Sequence, residues 1–174
     1  EAFLLSRGQA CAGPDGLRLE LLAQLRLLQG ATAAAAGLIQ QHCPRPDPDR
    51  QGWWLCHHQL LQQQGCFQAV LDLGLPPDPH PLLRLQLAEA ALWLNRLELA
   101  QPQLAALPEG FAAPELHEVQ ARYWLLRGNH EAALHWLGPL LEATPGSPIA
   151  WETAISVLQA KGDDYEIAAA QVGV

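Results

Sequence analysis

Ten Lys plus Arg against eighteen Asp plus Glu leave these 174 residues with a formal charge of -8. That charge repels phosphate backbones and anionic headgroups, which counts against nucleic acid and membrane surfaces as partners. Hydrophobic residues make up 49% and charged residues 16%, which excludes a disordered polar segment, and one folded unit is expected at roughly 150 residues per domain. Leu and Ala dominate while Val, Ile and Thr are scarce; unbranched side chains lose less rotamer freedom in a helix, so the expected fold is all-α.

The chain opens at Glu1 and contains no Met, and it reads as a piece of a longer polypeptide. Residues 1–12 are expected to be the second helix of a hairpin whose first helix lies upstream. Helices are then predicted over 16–29, 31–43, 51–64, 66–74, 80–94, 97–107, 114–127, 130–143, 148–161 and 164–172. Their apolar residues keep helical spacing, as in Leu19, Leu22, Leu25 and Leu28, or Leu134, Leu137 and Leu141. Gly30, Gly65, Asn95, Gly128 and Gly162 recur at αα-hairpin spacing, where a residue tolerant of left-handed backbone lets the chain reverse. Proline-rich stretches (Pro44–Pro48, Pro76–Pro81, Pro108 with Pro114, Pro145 with Pro148) separate one hairpin from the next. No apolar run approaches the ~20 residues that span a bilayer, because Arg18, Glu20, Gln24 and Arg26 interrupt Leu17 to Leu28. Cys11, Cys43, Cys56 and Cys66 are too sparse for a disulfide scaffold and read as reduced thiols, which places the chain in the cytoplasm.

Residues 114–147 carry the clearest repeat. Counting Pro114 as the first position, Ala121 and Ala133 fall at two small-residue positions, Gly128 at the turn and Pro145 at the close. Leu19, Leu22, Ala23, Gly30 and Ala35 follow the same pattern in 16–49, and Ala88, Asn95 and Ala100 in 81–112. Trp54 precedes Gly65, and Trp151 precedes Gly162, by the spacing of a large packing residue. His58 stands where a small residue is usual, Leu140 replaces a usual Ala, and two units are shortened. With these positions the chain resembles the tetratricopeptide repeat family. The resemblance implies a right-handed superhelical solenoid of αα-hairpins, with units at 1–12 (partial), 16–49, 51–79, 80–112, 114–147 and 148–174 (partial).

His42, Cys43, Cys56, His57, His58 and Cys66 form the densest group of zinc-binding residue types. Cys56, His57 and His58 are consecutive on one helix, diverge by about 100° each and cannot face one ion, so no metal site is expected. Nor is a cofactor or catalytic site. No phosphate loop, nucleophile elbow or metalloprotease motif is present, and the three Ser residues stand near helix ends or on helix surfaces. Of the six tryptophans, Trp54 and Trp151 take the packing position, Trp124 and Trp136 lie on apolar faces, and Trp53 and Trp93 lack a place in the pattern; burial is the commoner use of an aromatic.

In the resembled family, first helices line a concave groove. The equivalent positions here include Glu20, Gln24, Gln59, Gln62, Glu89, Glu115, Glu118, Arg122, Glu152 and Gln159, an acidic and amide-rich lining with one cation. The Lys and Asn cluster with which some members hold a peptide carboxylate is absent. The expected function is a non-catalytic protein-interaction scaffold that binds a protein or peptide segment, basic or neutral rather than acidic. The alternative is an accessory substrate-positioning or dimerisation domain of a larger glycosyltransferase, sulfotransferase or methyltransferase. Homo-oligomers are compatible with either.

Overall fold

The computed structural model describes residues 14–47, 49–143, 145–146 and 148–162. Among them it contains nine α-helices and no strand: α1 (Pro14–Leu28), α2 (Thr32–His42), α3 (Gln51–Gln63), α4 (Phe67–Leu73), α5 (Pro81–Trp93), α6 (Leu97–Ala105), α7 (Pro114–Leu126), α8 (His130–Ala143) and α9 (Pro148–Lys161). Each agrees with its expected span to within about two residues, the ordinary uncertainty of a helix end. The helices expected over 1–12 and 164–172 lie outside the described residues. The chain divides into two compact units, residues 1–90 and 91–174, with the boundary inside α5.

The hairpin turns share one construction. Gly30, Gly65, Asn95, Gly128 and Gly162 all have positive φ, between 57° and 80°. At the first four, the turn residue's N–H bonds back three residues and the next N–H bonds back five, for example Gly30 to the Leu27 carbonyl and Ala31 to the Arg26 carbonyl. This Schellman-type cap satisfies carbonyls that the helix end would otherwise leave unpaired. Asn95 is the one non-glycine among the five, and its short polar side chain tolerates the left-handed region better than most.

Small residues flank three of the turns at fixed distance. Ala23 with Ala35, Ala88 with Ala100 and Ala121 with Ala133 each stand seven residues before and five after a turn, and all six are fully buried. In the hairpin of α3 and α4 the equivalent positions hold His58 and Val70, also fully buried. The following helix α4 is seven residues long, and His58 Nε2 donates to the Gly74 carbonyl, 2.9 Å away, just past its end.

In the N-terminal unit, α1 and α2 pack together and both pack on α3, around Ala23, Leu27, Ala35, Ile39, Cys43, Trp53 and Cys56. Each fully buried large side chain contributes roughly 1.5–3 kcal/mol. Glu20 is also inside this layer: its carboxylate lies 3.3 Å from the Arg50 guanidinium and directly against the Cα of Gly52, where any Cβ would collide with it. Burial raises the Glu20 pKa above the ordinary carboxylate value, and Arg50 opposes the shift. In the C-terminal unit, α7, α8 and α9 pack around Ala121, Ala133, Leu137, Ala154 and Val157.

Candidate functional site

The residues that the sequence assigns to a groove separate into distinct environments. On α7, Glu115, Glu118 and Arg122 fall within about 60° of one another at 100° per residue, so they share one face. The rest of the helix buries Val119, Ala121 and Tyr123, with Val119 bordering the charged face about 40° from Glu115. Pro114 at the helix start is preorganised for that position, which puts Glu115 in the first turn, where a carboxylate interacts favourably with the helix dipole. Glu115 is exposed and Glu118 half-buried. Burial pushes the Glu118 pKa above its ordinary value; Arg122 lowers it and Glu115 raises it further. Glu118 therefore senses both neighbours electrostatically.

Arg122 also reaches the last turn of α5. Its guanidinium carbon sits 3.7 Å from the centre of the Trp93 ring, and Trp93 is 47% exposed. A cation over an indole contributes about 0.5–1 kcal/mol at an exposed site and fixes both side chains. The result is a surface with an ordered indole, a stacked guanidinium and two carboxylates. It can accept hydrogen bonds from cationic groups or amides and offer an aromatic face, and it contains no nucleophile.

The remaining residues are placed as follows. Glu152 and Gln159 are exposed on α9, where the Ser156 hydroxyl donates to the Glu152 carbonyl at 2.9 Å. In the N-terminal unit, the Gln62 amide donates to the Glu89 carboxylate at 2.9 Å and to the Gln86 carbonyl at 3.0 Å, joining α3 to α5. Gln24 and Gln59 are half-buried. Glu20 is not on an open face: at 8% exposure and paired with Arg50 it belongs to the interior, because its side of α1 is the side that α3 covers.

The two unassigned tryptophans diverge. Trp53 is fully buried in the N-terminal core, and the packing role assigned to Trp54 falls to it instead. Trp54 is half-buried, and its indole N–H donates to the Asp47 carbonyl at 3.0 Å, anchoring the proline-rich linker. Trp93 is the exposed one. The Trp93–Arg122 stack had no signal in the sequence beyond Trp93 lacking a place in the repeat pattern, since the partners are 29 residues apart on different hairpins.

Cys43 and Cys56 are buried and Cys66 exposed, all as free thiols. Burial pushes the Cys56 thiol up to about 12, with Glu20 and Cys43 adding to the shift. His57 Nε2 lies 2.8 Å from the Cys43 carbonyl, so both adjacent histidines direct a ring nitrogen at backbone. Among the described residues no group of three or more His, Cys, Asp and Glu is placed to hold a metal ion. An apolar cleft of about 680 Å³ lies on another face of the C-terminal unit, lined by Phe111, Leu116, His117, Trp136, Pro139 and Leu140. Among the described residues no helix is long and apolar enough to cross a membrane.

No family model matches this chain, and neither does any curated protein or solved structure.

Proposed function

We propose that this chain is a non-catalytic protein-interaction scaffold of tetratricopeptide-like αα-hairpins stacked as a solenoid, and that the α7 face takes a basic or neutral polar segment of a partner protein. The observation that carries this reading is the half-exposed Trp93, held by Arg122 beside Glu118 and Glu115. Part of the ordering cost is offset in such a surface, because the guanidinium and the indole stack on each other before a partner arrives. Exposed aromatics with a neighbouring arginine are typical binding anchors, and the surrounding carboxylates select against acidic tails. The repeated caps and the buried alanine pairs support the solenoid, since hairpins built alike present similar faces to their neighbours.

Selection from a displayed random-peptide library tests the assignment. Enrichment of Lys- or Arg-containing peptides that lose binding to Glu115→Lys with Glu118→Lys is the expected result. Enrichment of acidic peptides, or of peptides indifferent to the double substitution, would remove the α7 face from the account.

A further inference from the structure

The first helix of the N-terminal unit is apolar on two sides. Its inner side buries Ala23 and Leu27, yet Leu17, Leu21, Leu22, Leu25 and Leu28 are 37–76% exposed. At 100° per residue Leu17, Leu21, Leu25 and Leu28 fall within about 80° of one another, and Leu22 follows about 60° further round. A contiguous apolar stripe of this kind marks an interaction site.

The next hairpin of the same chain shows what covers such a face. Thirty-five residues later, the separation of Gly30 from Gly65, the equivalent positions on α3 are Gly52, Cys56, His57, Leu60 and Gln63. All five meet the preceding hairpin or the core it shares with α3. Gly52 lies against the Glu20 carboxylate, Cys56 Sγ is 3.9 Å from the Glu20 carbonyl, Leu60 packs on the shared core, and the Gln63 amide donates to the Leu27 carbonyl at 3.0 Å. His57 Nε2 lies 2.8 Å from the carbonyl of Cys43, the residue that ends α2. From α2 itself, Ile39 is buried in this core and Leu38 packs against it. On α3, then, the face is closed by the segment that comes before it in the chain.

We propose that the leucine face of α1 is an intramolecular docking surface for residues 1–13 of this chain, which take on α1 the place that the end of α2 takes on α3. Residues 1–13 lie outside the described residues. The same shift of thirty-five residues puts Phe3 and Leu4 at the positions of Leu38 and Ile39, the two side chains through which α2 joins the core beneath α3. Residues 2–5 are uniformly apolar and bring their own surface to bury. The segment leads directly into α1 at Pro14, and the stretch from Leu4 to Pro14 spans up to about 35 Å when extended, enough to turn back along Leu17 and Leu21. Tethering of this kind supplies an effective concentration on the order of millimolar, so a small contact suffices. Arg18 stands at the position of Trp53; its alkyl stem can cover apolar surface while the guanidinium stays in water, 3.6 Å from Asp15. The assignment rests on the repeat between the first two hairpins and is separate from the α7 face.

A double-mutant cycle on the whole chain, read as urea midpoints, tests the proposal. Phe3→Ser with Leu4→Ser alters the segment, Leu17→Ser with Leu21→Ser alters the face, and a fourth protein combines the two pairs. Each pair alone is expected to lower the midpoint by about 0.5 M or more, and the segment pair to have no further effect once the face is altered. An unchanged midpoint for either pair, or effects that simply add in the combined protein, overturns the proposal. So does a wild-type dimer in sedimentation equilibrium that the face pair dissociates and the segment pair leaves intact, because a second copy then holds the face.

Discussion

Gly52 has no room for a side chain, because the Glu20 carboxylate occupies the place where its Cβ would stand. In an open helix Gly→Ala gains about 1 kcal/mol, so here the sign depends on Glu20. Gly52→Ala should destabilise wild type by displacing Glu20 from Arg50, and should stabilise a Glu20→Ala background; urea midpoints of the four proteins give both values. His58 supplies a second residue-scale test. Burial lowers its pKa from 6.5 to about 4, against the Gly74 hydrogen bond, and His57 is lowered in the same direction. Below its unfolded pKa the unfolded chain binds a proton that the folded chain refuses, so stability falls as pH drops from 6.5 towards 4. His58 alone should remove roughly 2 kcal/mol between about pH 7 and pH 5, partly offset by the raised pKa of Glu20, and His58→Leu should flatten the profile. Neither residue was legible in the sequence. Arg50 belongs to a proline-rich linker, and no periodicity connects it with Glu20, so Glu20 read as a surface position. His58 read only as a departure from a small-residue position, since its hydrogen bond to the Gly74 carbonyl depends on how α3 and α4 pack.

Helices and turns were far more legible. A left-handed turn residue and a proline break are local chemical requirements, and the sequence states them directly. The positive φ at Gly30, Gly65, Asn95, Gly128 and Gly162 falls at the five residues that spacing had singled out. Gly128→Ala should accordingly cost about 1–2 kcal/mol through left-handed strain, whereas Asn95→Gly should be neutral or stabilising. The small-residue positions were equally readable, because close helix approach excludes long side chains. Ala133, fully buried with Ala121 in the cluster that joins α7, α8 and α9, has no space for two further branches. Ala133→Leu should cost about 1–3 kcal/mol by overpacking, read as a lowered denaturation midpoint. The choice between adjacent tryptophans was beyond such patterns: Trp53 and Trp54 differ by only 100° of helix rotation, and the repeat register points one residue too far.

For the whole molecule, the proposed function has acidic balance select which partners approach and the α7 face hold one. The net charge of -8 was readable at once, and so was the placement of Glu115, Glu118 and Arg122 on one helix. The indole beside them was not, because nothing in the repeat pattern links two residues 29 positions apart. Glu118, with its pKa raised by burial, should protonate before an ordinary carboxylate as pH falls, so affinity for a cationic segment should weaken in that range while the fold persists. The most direct measurement is titration of one selected basic peptide into wild type, Trp93→Ala and Glu115→Lys with Glu118→Lys, each at low and high salt. Salt is expected to weaken wild-type binding, charge reversal to abolish both the binding and its salt dependence, and Trp93→Ala to lower affinity while preserving the salt slope. Equal affinity for all three proteins, or binding that salt does not alter, would contradict the α7 assignment.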